Sequence, residues 1–299
     1  MRGGRAWTAL ALAAVALAVA GAAWAALTYP ELLKRPTAAP TAHIPYGPAP
    51  SQFVELWLPD GPGPFPVAIV IHGGCWRADL PGLELMNPAA QDLRRRGIAV
   101  WNVEYRRIGQ PGGGYPGTYH DIATAVDLLR TEGPRRGLKL DHIVAVGHSA
   151  GGHLALWAAA RRRIGASSPL RTSDPLPIEA VISLGGFSDL KRQRAAIASP
   201  CGKGMVEAMT GAPSPGRPDV YADTSPAALL PLGVRQVLIH GSNDTISPPT
   251  LELSYREAAA AAGDKVDART VGDAGHFELI APGERAWSTA AELAKSLTK

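Results

Sequence analysis

The chain has 299 residues, of which 46% are apolar and 19% are charged, and its formal net charge is +4. This composition is typical of a globular protein and excludes a disordered or fibrous chain. The two longest basic runs, 94–96 and 161–163, lie at predicted helix ends, where cations complement the helix dipole. Because no basic stripe carries interleaved aromatic residues, we expect no nucleic-acid partner.

The first 25 residues have the pattern of a leader. Arg2 and Arg5 precede an apolar span, 6–30, that contains no charged residue and is mostly Ala with Leu and Val. A basic start followed by an apolar stretch with small-x-small cleavage candidates is typical of a signal peptide. The span is also long enough for an uncleaved membrane anchor. Both interpretations of residues 1–25 predict an exported protein, periplasmic or extracellular, and the second adds a membrane tether.

Residues 26–50 are rich in Pro and Ala, which predicts an extended tether before a domain that spans residues 51–299. Within that domain, strand patterns alternate with helical patterns. The predicted strands are 53–58, 67–71, 98–105, 142–146, 180–184, 236–240 and 266–271. The predicted helices are 88–96, 120–130, 149–163, 249–262 and 284–296.

This alternation predicts an α/β fold with a mostly parallel central sheet and helices on both faces. One stretch, 188–232, is dense in Pro and Gly and is too long for a simple connection. We expect it to form a small cap-like insertion at the end of the sheet where ligands bind.

A candidate nucleophile, Ser149, lies in the sequence GHSAGG between a predicted strand and a predicted helix. Gly147 and Gly151 flank it, as a sharp strand-to-helix turn requires, because residues without Cβ avoid a clash with the strained backbone. The start of the following helix also points free N–H groups at the serine. Considered alone, a serine at this place is equally typical of a helix N-cap.

A serine nucleophile needs a base, and the base needs an acid that orients it. Asp244 and His276 each follow a later predicted strand, which gives the chain order Ser, Asp, His. Asp189 also follows a predicted strand and is the strongest rival for the acid, although its position equally suits a helix cap or a turn.

The segment HGGCW follows an early predicted strand, and its two glycines let the backbone turn N–H groups inward. We expect the N–H groups of Gly74, Cys75 and Ala150 to form an oxyanion hole. His72 is expected to order this loop rather than to act as a catalyst. Trp76 is a candidate for lining the acyl pocket.

The two cysteines, Cys75 and Cys201, can form a disulfide in an exported protein, or they can be two separately buried thiols. The sequence leaves both alternatives open. The eight histidines are dispersed and no motif has the spacing of metal ligands, so we expect no metal.

Five motifs, HGGCW, VEYRR, GHSAGGHLAL, HGSNDTISP and AGHFELI, together resemble the α/β-hydrolase superfamily. More narrowly, they resemble the hormone-sensitive-lipase-like esterases, the bacterial feruloyl and acetyl-xylan esterases, and the kynurenine formamidases. The resemblance covers residues 46–297 and implies that Ser149, Asp244 and His276 form the catalytic triad. It also implies that 72–76 is the oxyanion loop.

The sequence departs from this resemblance at Cys75, where many relatives have a third Gly or an aromatic residue. A backbone donor survives this change, but the Cys75 side chain would narrow the pocket or bond to Cys201. Such a bond would tie the oxyanion loop to the insertion at 188–232.

The resemblance implies a serine hydrolase that cleaves carboxylic esters, with short-chain or carbohydrate acyl groups, through an acyl-enzyme and without a cofactor. An arylformamidase-like amide hydrolase ranks second, because that metabolism is intracellular whereas this chain has the pattern of an exported protein. A non-catalytic binding module of the cell envelope ranks third, because all three triad residues are present. The sequence makes no prediction of the oligomeric state.

Overall fold

The strands of the described chain, residues 26–299, form one eight-stranded sheet in the computed structural model. The strands are β1 (Ala42–Pro45), β2 (Phe53–Trp57), β3 (Phe65–Ile71), β4 (Ala99–Val103), β5 (Leu138–His148), β6 (Ala180–Leu184), β7 (Arg235–Gly241) and β8 (Val266–Val271). Their order is β1-β2-β4-β3-β5-β6-β7-β8. Neighbours from β4 to β8 are parallel, and β2 is antiparallel to both β1 and β4. The predicted mostly parallel sheet is confirmed.

Helices cover both faces of this sheet. They are α1 (Tyr29–Leu33), α2 (Asn87–Arg95), α3 (Gly117–Arg135), α4 (Ala150–Ala160), α5 (Leu190–Cys201), α6 (Met205–Thr210), α7 (Leu253–Ala261) and α8 (Arg285–Leu297). Strand β3 contributes to a separate core on each face: Ile69 packs in the core that includes α3 and α4, whereas Val70 packs in the core that includes α2 and α8. A strand buried on both faces is apolar throughout, which explains the continuous apolar run that identified it.

The prediction of an extended tether at residues 26–50 is wrong. Strand β1 pairs with β2, from Ala42 opposite Leu56 to Pro45 opposite Phe53, and therefore forms the edge of the sheet. Helix α1 lies before it and fully buries Leu32 in the core that includes α2 and α8. Proline is tolerated on an edge strand and in the first turn of a helix, so a Pro-rich composition did not prevent either element.

The predicted signal peptide or anchor, residues 1–25, lies outside the described residues. Within residues 26–299, none of the helices combines the length and the apolar character needed to cross a membrane.

The stretch 188–232 contains regular structure despite its Pro and Gly content. It holds α5, α6 and a 3₁₀ turn at Pro226–Leu229. Asp189 caps the start of α5, where its carboxylate accepts the N–H groups of Lys191 (3.1 Å) and Arg192 (3.0 Å). Of the three roles that the sequence left open for Asp189, namely acid, helix cap and turn, the structure shows the helix cap.

A buried histidine on α4 makes the stability of the fold depend on pH. The Nε2–H of His153 donates to the carbonyl of Thr224 (2.8 Å), and its ring packs edge-on against Trp76 and Tyr119. Burial lowers the pKa of His153 to about 4, although the hydrogen bond to Thr224 opposes this shift. The folded protein therefore keeps this imidazole neutral at pH 5.

We expect His153 alone to reduce the free energy of unfolding by about 2 kcal/mol between pH 7 and pH 5. Because its pKa is depressed in the folded state, the unfolded chain binds the proton first as the pH falls below about 6.5, so stability is lost. Urea unfolding of the wild type and of His153→Gln at both pH values measures this loss. Between pH 7 and pH 5, the free energy of unfolding of the variant should fall by about 2 kcal/mol less than that of the wild type. Equal decreases would contradict the low pKa assigned to His153.

Candidate active site

The three predicted triad residues lie where parallel strands end. Ser149 follows β5, Asp244 lies in the loop after β7, and His276 lies in the loop after β8. The carboxyl ends of parallel strands meet at one edge of the sheet, which is the ordinary ligand-binding edge of an open α/β sheet. The structure accordingly brings these residues together.

Ser149 has a strained backbone, with φ 52° and ψ −121°. Its N–H donates to the carbonyl of Leu184 at 2.8 Å, which fixes the turn against β6. The flanking glycines are sterically required: a Cβ on Gly147 would lie 2.1 Å from the Gly151 oxygen, and a Cβ on Gly151 would lie 2.1 Å from the Ile71 oxygen. Strain of this kind is typical of an active-site residue that is held in place by its surroundings.

Asp244 and His276 are hydrogen-bonded to each other in a buried position. The Nδ1 of His276 lies 2.7 Å from Oδ2 of Asp244. The other carboxylate oxygen accepts the N–H groups of Ile246 (2.9 Å) and Ser247 (2.8 Å). Burial raises the pKa of Asp244, but the hydrogen bond and charge of His276 and these two N–H groups lower it below its ordinary value. Asp244 is therefore ionised and able to orient the imidazole.

Ser149 and His276 line the same cavity. Within residues 26–299, the His276 ring makes its one hydrogen bond through Nδ1, and its Nε2 has no protein partner. No hydrogen bond yet joins the serine hydroxyl to this nitrogen in the described chain. In serine hydrolases that bond often tightens only when substrate binds.

The loop at 72–76, predicted to hold an oxyanion, has an unusual backbone, with positive φ at three consecutive residues: Gly74 (93°), Cys75 (52°) and Trp76 (58°). The Gly74 carbonyl accepts the N–H of Arg77 at 2.8 Å. In the part of the chain that the structure describes, the N–H groups of Gly74, Cys75 and Ala150 have no protein acceptor. Gly74 and Cys75 also line the cavity beside Ser149, so their N–H groups are available to a developing oxyanion.

His72 fixes the start of this loop through contacts with Glu104 and Tyr105. Its Nε2 lies 3.0 Å from Oε1 of Glu104, and its ring stacks on Tyr105 with a centroid separation of 4.3 Å. The Tyr105 hydroxyl in turn donates to the His72 carbonyl at 3.0 Å. His72 is fully buried and does not line the cavity, which agrees with the expected ordering role.

His148, the residue before Ser149, supports the segment that carries His276. Its Nε2–H donates to the carbonyl of His276 at 3.1 Å, and the two ring centroids lie 4.5 Å apart. Burial, together with the nearby His276, holds the pKa of His148 well below its ordinary value. His148 is therefore a neutral hydrogen-bond donor at neutral pH.

The expectation that Trp76 lines the acyl pocket is not met. Its side chain is fully buried and packs against His153 and Phe187, with centroid separations of 5.5 and 5.8 Å. The left-handed backbone at Cys75 and Trp76 accompanies this inward placement. The cavity is walled instead by apolar residues that the sequence reasoning did not identify: Leu27, Tyr29, Pro30, Leu80, Pro81, Leu85, Pro200, Ile246 and Phe277.

Cys75 and Cys201 form a disulfide across 126 residues of sequence. This bond joins the oxyanion loop to the end of α5, and a hydrogen bond from Arg77 to the Cys201 carbonyl (3.1 Å) reinforces the contact. Pro200, the neighbour of Cys201, lines the cavity. The insertion at 188–232 therefore contributes both a wall and a covalent support to the site.

Comparisons with known proteins agree with this geometry. Esterase LipC of Mycobacterium tuberculosis is 27% identical over 274 residues, which are 85% of this chain and 64% of that protein. This chain thus spans less than two thirds of that relative's length. Among solved structures, esterase B from Lactobacillus rhamnosis superposes with a TM-score of 0.71 at 20% identity and covers 88% of each chain. A truncated carbohydrate esterase from gut microbiota superposes with a TM-score of 0.69 at 18% identity and covers 88% of this chain and 97% of its own.

These superpositions confirm the predicted α/β-hydrolase fold. The family model named BD-FAE matches residues 54–255, which are more than half of the chain. That span includes Ser149, Asp244 and the loop at 72–76. The chain therefore belongs to the BD-FAE family, an esterase family with the α/β-hydrolase fold.

Proposed function

We propose that the protein is a serine hydrolase that cleaves carboxylic esters through an acyl-enzyme on Ser149. The observation that carries the proposal is the buried 2.7 Å hydrogen bond between Asp244 and His276, at a cavity that also contains Ser149. Gly74 and Cys75, whose N–H groups have no acceptor within residues 26–299, line the same cavity. A nucleophile, an oriented base and preformed oxyanion donors are the three parts that acyl transfer requires.

In the first half-reaction, Oγ of Ser149 attacks the ester carbonyl carbon while Nε2 of His276 takes the hydroxyl proton. The carbonyl oxygen becomes an oxyanion that accepts the backbone N–H groups of Gly74, Cys75 and Ala150. When the tetrahedral intermediate collapses, the bond to the alkoxy group breaks and His276 gives its proton to the departing alcohol. Ser149 then carries the acyl group as an ester.

In the second half-reaction, water takes the place of the alcohol. His276 removes a proton from the water as it attacks the acyl-enzyme, and then returns the proton to Oγ of Ser149 as the carboxylic acid leaves. Asp244, which stays ionised, holds the Nδ1–H tautomer of His276 and stabilises the imidazolium in both halves. No step in this sequence calls for a cofactor.

We also propose that the mature protein works outside the cytoplasm. The Cys75–Cys201 disulfide supports this location, because such bonds persist in oxidising compartments. The basic and apolar pattern of residues 1–25 supports it independently. Fractionation of the producing cell tests the proposal, which fails if the full-length protein is found in the cytosol.

The acyl-enzyme proposal is tested by covalent trapping. A p-nitrophenyl alkylphosphonate should release one equivalent of p-nitrophenol and add one phosphonyl group to the protein, which intact-mass and peptide analysis should place on Ser149. Ser149→Ala is the matched control and should remain unlabelled. Labelling of the variant would contradict the assignment of Ser149 as the nucleophile, and no labelling of the wild type would contradict the proposal and favour a binding module.

A second measurement separates ester from amide hydrolysis. We expect kcat/KM to be higher for p-nitrophenyl acetate than for N-formylkynurenine, because p-nitrophenolate leaves without a proton from His276, whereas the arylamine of the formamide must be protonated to leave. The opposite order would favour the arylformamidase-like activity.

A further inference from the structure

Four consecutive residues near the N-terminus, Leu27–Pro30, line the cavity that contains Ser149. We call this segment the N-terminal strap. The ring of Tyr29 packs edge-on against Phe277, with a centroid separation of 6.0 Å. Because Phe277 directly follows His276, the strap lies beside the segment that carries the base. None of the catalytic chemistry described above uses the strap.

The carboxylate of Glu278 connects the strap to the segment that carries His276. Oε1 of Glu278 accepts the N–H of Leu27 at 2.6 Å, and its Oε2 accepts the N–H of Gly275 at 3.1 Å. Glu278 is buried, with 4% of its surface exposed. The strap and the loop around His276 therefore share one buried acceptor, across 251 residues of sequence.

The strap is also held at its other end. The Glu31 carboxylate accepts both the N–H (2.9 Å) and the hydroxyl (2.7 Å) of Thr28, which fixes the first turn of α1. Leu32 is fully buried in the core, and Arg35 donates to the carbonyl of Pro282 at 2.6 Å. Because the strap is anchored at both ends, it forms a fixed wall of the cavity.

The mostly apolar lining of this cavity favours an apolar ligand. Its volume is about 520 Å³, and the described residues that line it include no Lys, Arg, Asp or Glu. The other residues that line it include the apolar Leu80, Leu85 and Pro200. A charged group would lose its hydration here without gaining an oppositely charged side chain, and a heavily hydroxylated group would meet mostly apolar walls, whereas a hydrocarbon chain would gain apolar burial.

We propose that the N-terminal strap is the substrate-selecting wall of the active site and that it binds an apolar chain of the ester, longer than acetyl. This inference rests on the proposed ester hydrolysis and names the substrate class for it. The apolar chain belongs to either the acyl or the alkoxy side of the ester, since both meet at Ser149. Tyr29, the largest side chain of the strap, is the main specificity determinant.

The test compares Tyr29→Ala with Leu33→Ala in the full chain. Both residues lie on α1 and both are 38% exposed, but only Tyr29 lines the cavity. The acyl side is measured as the ratio of kcat/KM for p-nitrophenyl octanoate to that for the acetate. The alkoxy side is measured as the ratio for octyl acetate to ethyl acetate.

We expect Tyr29→Ala to lower one of the two ratios about fivefold, because a lost apolar contact acts on the longer chain only. Leu33→Ala should change neither ratio by more than about twofold. Tyr29→Phe, which keeps the ring, should retain the wild-type preference. The substrate pair whose ratio falls identifies the side of the ester, acyl or alkoxy, that contacts the strap.

The strap proposal is overturned if Tyr29→Ala changes neither ratio while its melting temperature stays at the wild-type value. It is also overturned if Leu33→Ala lowers a ratio as much as Tyr29→Ala does. Failure of the proposed ester hydrolysis would be distinguishable from failure of the strap proposal. In that case the wild type would hydrolyse none of the four esters and would not be labelled at Ser149.

Discussion

Replacing Asp244 with Asn is expected to lower kcat for ester hydrolysis by about 10⁴-fold while leaving the fold intact. The Oδ2 of Asp244 accepts the Nδ1–H of His276 at 2.7 Å, so an amide NH₂ at this place would present a donor to a donor. The imidazole would then favour the tautomer whose Nε2 carries the proton, and that nitrogen could no longer take the proton of Ser149. The loss of the negative charge would also destabilise the imidazolium that forms during attack.

Asp189→Asn is the matched control for this variant. Asp189 also follows a strand of the parallel sheet, but its carboxylate caps α5 and is not bonded to His276. Because Asn is as good an N-cap as Asp, we expect kcat to change by less than about twofold and the stability to change little. Steady-state kinetics on p-nitrophenyl acetate measures both variants. A large loss in Asp189→Asn with a small loss in Asp244→Asn would reverse the assignment of the acid.

It was predictable that Ser149, Asp244 and His276 would lie at one edge of the sheet, because strand ends and chain order are local and sequential properties. Ser149 and Asp244 each follow a strand that ends in a buried apolar run, and His276 follows the half-buried edge strand β8. Parallel strands bring such positions to one edge of the sheet. The predicted limits of the strands were less accurate. Strand β5 begins at Leu138, whereas the prediction began at His142, because exposed residues such as Lys139 interrupt the apolar pattern at its start.

The N-terminal elements were missed for a different physical reason. Strand β1 spans only Ala42–Pro45 in a Pro-rich stretch, and it is stabilised by pairing with β2 rather than by its own propensity. The strap likewise depends on Glu278, which is 251 residues away in the chain. A composition that resembles a tether cannot reveal a partner at that separation.

The placement of Trp76 could not be predicted from its neighbours either. An aromatic residue beside an oxyanion loop is a reasonable pocket residue, and its side-chain direction depends on the backbone conformation. Here Cys75 and Trp76 both have positive φ, a conformation that residues other than Gly rarely adopt. The sequence gives no local signal for this pair, since the two glycines that mark the loop come before it.

Removing the disulfide between Cys75 and Cys201 is expected to lower the free energy of unfolding by about 4 kcal/mol. The bond closes a loop across 126 residues, so it restricts the unfolded chain strongly, and loss of this restriction favours unfolding. The double variant Cys75→Ser/Cys201→Ser avoids leaving a free thiol. Urea unfolding of this variant and of the oxidised wild type, without reductant, measures the difference. Equal midpoints and slopes would contradict the prediction.

The same variant is expected to lose activity at temperatures where it remains folded. Cys75 has a left-handed conformation and is tied by the disulfide to the end of α5, and we expect its N–H to donate to the oxyanion. A complete loss of one such donor costs about 10² to 10³ in kcat, so a loop that visits the correct geometry only part of the time should cost about tenfold. KM should change less, because the donor acts on the transition state.

Dithiothreitol should reproduce the loss in the wild type and have no effect on the double variant, since the variant has no bond to reduce. If the double variant kept full kcat while its stability fell, the disulfide would stabilise the fold without holding the oxyanion loop.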